Sequence, residues 1–275
     1  MKKGIKRIPT GFWILTAGIV FLLLISLCSS WIAPYDYQAT DTKNLLSPPN
    51  LQHWMGTDEQ GRDVFSRVLV GSKNSIFSAF ILIALAGSIG SLIGLLGGYY
   101  GGFADSLLMR ITDIFLSFPD MILAVAVAGV LGGGLTNAMI AILLTSWTQY
   151  ARLARSSTRA IKEENYIQAA KLSGCSEIRI LFVHIFPNII SPLIVTATLH
   201  ISGVMMGIAG LSFLGLGVKV PDAEWGSMIS VGRNYLQTAP WMAIGPSLVM
   251  VLVMMAFNLF GDYVRDLMDP KQRKS

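Results

Sequence analysis

Residues 166–188 read YIQAAKLSGCSEIRILFVHIFPN. The stretch is polar and basic, yet it lies between apolar runs long enough to cross a bilayer. Its first part has helical character and presents two short side chains, Ala169 and Ala170, on which another surface can close. Gly174 can end that helix in the left-handed conformation that other residues resist. A further helical turn over residues 177–184 leads to Pro187, which fits a bend into the next apolar run. The bland reading is an ordinary basic loop. Length, helical propensity and the Gly and Pro punctuation favour a structured handle held at a membrane face for another protein to grip.

The rest of the chain supplies the membrane. Of 275 residues, 53% are hydrophobic and 13% charged, with a mean hydropathy of +0.58. Soluble domains carry about 25% charged residues, and no water-soluble core could hide this much apolar surface. The net charge of +5 is modest and speaks to orientation rather than to nucleic acid. Cys28 and Cys175 are placed near opposite faces, which argues against a disulfide. The first apolar run is too long, and too poor in small residues at its end, for a removed signal peptide.

A span takes about 20 apolar residues. Six are placed, at 12–33, 76–98, 107–131, 137–153, 189–211 and 241–264. Continuous apolar runs mean helices rather than barrel strands. Trp13, Trp31 and Trp241 stand where interfacial anchors belong. Lys2, Lys3, Lys6 and Arg7, the insert with Arg152, Arg155, Arg159, Lys162, Lys171 and Arg179, and the tail with Arg265, Lys271, Arg273 and Lys274 all fall on one side. The positive-inside rule makes that side cytoplasmic, both termini included. The expected organisation is a first part, 1–75, of tail, first span and outer segment, then a five-helix core, 76–275, carrying the cytoplasmic loop 156–188. The outer segment 34–75 packs across the outer rim, and a second, 215–240, holds a short helix.

Other candidates follow from residue type and spacing. In 53–67, HWMGTDEQGRDVFSR, Gly56 and Gly61 permit turns beside Thr57. Asp58, Arg62, Asp63 and Arg67 can pair to pin the loop, against the alternative of a solvated charged loop. Arg110 and Asp113 share a helix face, and Pro119 should kink their span. His200 sits mid-span, where it could line a path or bond a neighbouring helix. The pairs Gly90/Gly94, Gly94/Gly98, Gly129/Gly133 and Gly203/Gly207 favour close helix contacts. The Met205-Met206 and Met254-Met255 pairs are better read as packing than as soft metal ligands. No P-loop and no nucleophile elbow occurs, and His53, His184 and His200 are too dispersed to suggest a metal centre.

The handle resembles the "EAA" coupling loop of ABC importer permeases, whose signature is Glu-Ala-Ala, three residues, Gly, then Ile-x-Pro. Here the matching residues are Gln168, Ala169, Ala170, Gly174, Ile185 and Pro187, with His184 just before. Gln168 departs from the family acid: it keeps hydrogen-bonding reach but carries no charge for an ion pair with an ATPase. The outer stretch is similar to the "GTDxxGRDxxSR" run of the peptide/nickel branch. The 98–119 region, the run 212–217 (SFLGLG) and 224–226 (EWG) also match that branch. The resemblance implies an all-α permease with six transmembrane helices and the type I importer fold, in a bacterial inner membrane. It implies a second homologous permease subunit, two ABC ATPases that bind ATP and magnesium, and an extracytoplasmic solute-binding protein, with no nucleic acid and no cofactor of its own. Transport would proceed by alternating access. The nickel-importer type is the nearest match, with di- or oligopeptide and opine-metallophore importers as alternatives. A membrane-embedded enzyme and a self-sufficient secondary transporter are the competing classes. The first lacks converging titratable groups in the sequence, and the second would need no ATPase.

Overall fold

The computed structural model describes residues 9–268. The basic tail positions Lys2, Lys3, Lys6, Arg7, Lys271, Arg273 and Lys274 and the Asp269-Pro270 ending lie outside the described residues. Among the described residues the structure is helical, with no strand beyond an isolated bridge between Thr57 and Asp63. The elements run α1 (Thr10–Leu27), α2 (Ser29–Ile32), α3 (Val64–Tyr100), α4 (Gly102–Leu116), α5 (Asp120–Val130), α6 (Leu135–Lys162) and α7 (Asn165–Leu172). They continue with α8 (Glu177–Arg179), a π-helical turn (Ile180–Ile185), α9 (Phe186–Phe213), α10 (Trp225–Gly232) and α11 (Trp241–Met268).

Four continuous helical runs are long and apolar enough to cross a membrane: α1, α3, the run Glu177–Phe213 and α11. The pair α4–α5 is a fifth candidate, bent by 85° at its break. The expected single span 107–131 is therefore a broken one. Pro119 immediately precedes α5, where its missing N–H costs no helical bond. α6 is a further long helix that holds the expected span 137–153 but is less apolar than those five. Its 28 residues reach about 42 Å, and its second half carries Arg152, Arg155, Arg159 and Lys162. The basic stretch thus begins as a helical extension of the span rather than as a loop.

The bundle is organised on α3 against α6. A methyl group at Gly90 would collide with the Trp147 carbonyl, and one at Gly94 with the Ala151 carbonyl. Gly98 faces Arg155 and Thr158 in the same way. The two backbones approach this closely because α3 offers no side chains there and α6 answers with the buried Ala151 and Ala154. In the other two pairs only Gly207 meets another helix, at the Ile142 side chain of α6. Gly129 faces open space, and Gly203 meets only His200 of its own helix. Small residues at that spacing permit contact, but a partner helix must be there to use it.

Two ion pairs tie α4 to α6: Asp105 with Arg155, and Asp113 with Arg152 at 2.6 Å. Asp113 reaches across to α6 instead of pairing along its own helix with Arg110, which takes no part in the ion pairs among the described residues. Trp241 opens α11, but its indole donates to the Thr57 carbonyl at 3.1 Å, so it clasps the outer segment rather than serving only as a lipid-interface anchor.

Candidate functional site

The handle is built from two short helical pieces joined at Gly174. α7 ends in a Schellman motif: the Gly174 N–H bonds the Lys171 carbonyl at 3.0 Å, and the Cys175 N–H reaches back to Ala170 at 3.1 Å. Gly174 has φ of 77° and nothing crowding it, the left-handed conformation its position in the sequence suggested. Cys175 and Ala170 both pack on the core, supplying the apolar contact that accompanies this cap. Ile167, Ile180, Leu181 and Ile185 are buried and fasten the handle to the bundle. On the opposite side Leu172 is 90% exposed and Ile178 71% exposed. Ala169 and Gly174 are exposed beside them.

Gln168 is half-buried, and its side-chain amide donates to the Lys162 carbonyl at 3.0 Å, capping the end of α6. Pro187 does not make the expected bend. Residues Glu177–Phe213 form one helical run, and the π turn Ile180–Ile185 shifts the hydrogen-bond register just ahead of the proline. Pro187 then falls in the first turn of α9, where a backbone N–H is dispensable. His184 is half-buried in that π turn, and its carbonyl accepts from the Asn188 side chain at 2.6 Å.

At the outer end, the residues singled out in 56–67 meet in one clasp. Asp58, Arg62, Asp63 and Arg67 are all buried. Arg62 Nε lies 2.6 Å from Asp58 Oδ2, and Arg67 Nε 3.6 Å from the same oxygen. Asp63 caps α3 by accepting from the Ser66 N–H at 2.7 Å, and its other oxygen lies 2.9 Å from His53 Nδ1. Arg67 spans segments distant in sequence, donating to the carbonyls of Tyr37 at 2.9 Å and Pro221 at 3.1 Å. The Thr57 hydroxyl joins the Asn44 carbonyl to the Ser47 N–H. Gly61 has φ of 74° and lies against the Asp41 carbonyl, leaving no room for a side chain.

Glu59, beside the clasp, has its carboxyl pushed above the usual range by burial and then by the charge of Asp58. Its Oε2 and Arg62 Nη1 are buried with no hydrogen-bond partner among the described residues. Sequence reading did not assign a role to Glu224, which is buried and holds the second outer segment. It caps α10 through the N–H groups of Gly226 and Ser227, and it accepts from Ser75 at 3.2 Å and Ser212 at 2.8 Å. An acid directly before a Trp-Gly helix start was the available signal.

His200 meets α6. Gln149 Nε2 lies 2.7 Å from its Nδ1, and Tyr150 Oη 3.2 Å from the same nitrogen. Asp113 pairs with Arg152 of α6 rather than with this cluster, and Arg110 is exposed on α4. Among the described residues no three His, Cys, Asp or Glu side chains gather as metal ligands.

Residues 90–274 match the family described as binding-protein-dependent transport system inner membrane component. The chain is 47% identical over 253 residues to the probable D,D-dipeptide transport system permease protein DdpC of Escherichia coli K12, covering 92% of this chain and 85% of that one. It is 44% identical over 252 residues to the nickel transport system permease protein NikC of the same strain, covering 92% and 91%. A glutathione transport system permease protein, GsiD, from Escherichia coli O6:K15:H31 is 42% identical over 254 residues, covering 92% and 84%. A solved inward-facing structure of the MetNI methionine ABC transporter superposes with a TM-score of 0.59 at 18% identity, over 74% of this chain and 97% of that one, a likeness of fold.

The chain belongs to the binding-protein-dependent transport system inner membrane component family. It is a multi-pass, all-α membrane permease subunit of an ABC importer in the peptide, nickel and glutathione group. It works with ATPase and substrate-binding partners, and it is non-catalytic, ATP being hydrolysed by the ATPase.

Proposed function

We propose that the chain forms half of a translocation path for nickel or a nickel chelate, opened alternately to the two faces of a bacterial inner membrane. The other half is a second homologous permease subunit. Two ATPases bind ATP and magnesium and close on each other. Their motion enters this chain through the 166–188 handle, which faces the cytoplasm together with both termini. An external solute-binding protein delivers cargo above the 56–67 clasp, which ties the outer segment ahead of α3 to Pro221 and Trp241.

The observation that carries this reading is the handle itself. One side is fastened by buried Ile167, Ile180 and Ile185, while Leu172 and Ile178 stand exposed on the other. A rigid element with an uncovered apolar tip suits a partner's groove. Within it Gln168 braces α6, Ala169 and Ala170 allow close approach, Gly174 sets the turn, and His184, Ile185 and Pro187 pass the motion to α9. Replacing Gly174 by Val tests this. The left-handed backbone then costs roughly 1–2 kcal/mol or more, and transport should fall sharply while the clasp stays folded. Normal uptake with normal assembly contradicts the coupling role.

A second reading of the cargo, a dipeptide or oligopeptide, is favoured by the 47% identity to a D,D-dipeptide permease, against 44% to the nickel permease. Uptake of labelled nickel and labelled dipeptide, with and without this chain, decides between them.

A further inference from the structure

Tyr99 and Tyr100 end α3 directly after the apolar stretch 76–98, at the level where a span meets lipid headgroups. Gly98 packs against Thr158 of α6, so Lys162, one helical turn further, lies about 6 Å beyond that level. Between these ends and the root of the handle is a cavity of about 450 Å³, within the roughly 300–1,000 Å³ of small-molecule sites. Two ammonium groups from different elements converge there. Lys162 Nζ lies 5.7 Å, and Lys171 Nζ 5.6 Å, from the centroid of the buried Tyr99 ring. The ring face attracts each cation, but two like charges brought to one ring repel each other. Neither lysine forms an ion pair among the described residues. Glu177, the one carboxylate of the wall, is exposed. Glu163 and Glu164, which follow Lys162, are exposed and outside the wall. The cavity therefore carries net positive charge and offers two ammonium and two phenol donors.

Its surroundings point to the bilayer as the source of the anion. Exposed apolar side chains follow both walls in sequence: Phe103 after Tyr100, and Phe182 and Val183 after Ile180. A soluble anion makes no use of them, whereas acyl chains do. We propose that this cavity seats the phosphate headgroup of an acidic phospholipid from the cytoplasmic leaflet, clamped between Lys162 and Lys171. Basic pockets beside spans on the cytoplasmic side suit such headgroups. The bound phosphate ties the last residue of α6 to α7, at the junction that Gln168 also bridges. Leu172 and Ile178, the exposed tip offered to the ATPase, lie outside the wall, so lipid and ATPase take different sides of the handle. The inference rests on the cytoplasmic placement of the handle proposed above.

The test reads Cys175, which lines the cavity and is half-buried, in the complete complex with Cys28→Ser as background. Alkylation by N-ethylmaleimide is followed on the Cys175 peptide in nanodiscs of phosphatidylcholine alone, and of phosphatidylcholine and phosphatidylglycerol in equal parts. Phosphatidylglycerol should slow the reaction about five-fold, as for a site four-fifths filled. Lys162→Gln with Lys171→Gln should abolish that slowing. Arg179→Gln with Arg265→Gln, both exposed and outside the wall, should keep it. Native mass spectrometry of the same complexes should find phosphatidylglycerol retained, and lost from the lysine variant alone. Equal rates in the two bilayers, undiminished protection in the lysine variant, or equal lipid retention overturns the site. Inorganic phosphate added to phosphatidylcholine nanodiscs separates the sources: protection matching that of phosphatidylglycerol makes this a free-phosphate site and contradicts the lipid. In intact cells a membrane-impermeant maleimide should leave Cys175 unlabelled. Labelling there would sink the cytoplasmic placement and the lipid site with it, whereas an unlabelled Cys175 with equal rates in both bilayers removes the lipid alone.

Discussion

Gln168 donates its side-chain amide to the main-chain carbonyl of Lys162, the last residue of α6, at 3.0 Å. The bond joins the end of a span to the first piece of the handle, and it requires a donor. A carboxylate, the residue type that related signatures carry, would present only acceptors to that carbonyl. Gln168→Glu should therefore loosen the α6–α7 junction by about 1 kcal/mol, the net value of one hydrogen bond. Tryptic cleavage after Lys162 in the native protein should rise about five-fold, as expected for local opening made easier by that amount.

Gly94→Val places a branched side chain against the Ala151 carbonyl, which is backbone and cannot swing away. Overpacking of this kind costs about 1–3 kcal/mol or more, and membrane abundance and thermal stability should both drop. Gly129→Ala is the contrast. It lies within α5, faces open space, and should be neutral or slightly stabilising, since Ala is the better helix former.

The difference between these two glycines marks where sequence reading stops. Spacing told that each could sit at a helix contact; only the fold shows that α6 lies against Gly94 and nothing against Gly129. The same limit explains Asp113. Its spacing to Arg110 suggested a pair along one helix, but the neighbour across the interface, Arg152, takes it. The handle and the left-handed Gly174 were legible because they depend on local backbone chemistry. The π turn ahead of Pro187 was not, since a proline signals a missing N–H without saying how the register adapts. His200 was visible as a polar residue at depth, whereas its partners Gln149 and Tyr150, on another helix, required the tertiary structure.

Arg62→Met leaves Asp58 buried without its 2.6 Å partner. Breaking a buried pair costs about 3–5 kcal/mol. Arg67 Nε, 3.6 Å from the same oxygen, retains part of the attraction and sets the expectation near the lower end. Thermal unfolding of the purified complex, read beside accessibility of a cysteine placed at Leu46, checks whether the outer segment lets go first.

The Glu59 carboxyl is raised above its ordinary 4.5 by burial and by Asp58. A raised folded-state value means the folded clasp holds that proton more tightly than the unfolded chain. Its stabilising contribution is complete below about pH 4.5 and is lost as pH rises through the folded value. The clasp should resist heat better just above pH 5 than at pH 7.5. Glu59→Gln should remove most of that difference. Asp41, lowered by its hydrogen bonds to Lys43 and Asn44, works in the opposite sense but only below 3.8, outside this window.

The central claim is that a partner ATPase holds the handle from the cytoplasmic side. A photo-crosslinking amino acid in place of Leu172, 90% exposed at the end of α7 in the isolated chain, reads this directly in native membranes. The account predicts one dominant adduct, with the nucleotide-binding subunit, formed in inside-out vesicles and changing in yield with ATP. An adduct only with the external binding protein, or none with any nucleotide-binding subunit in a complex that still transports, would contradict it.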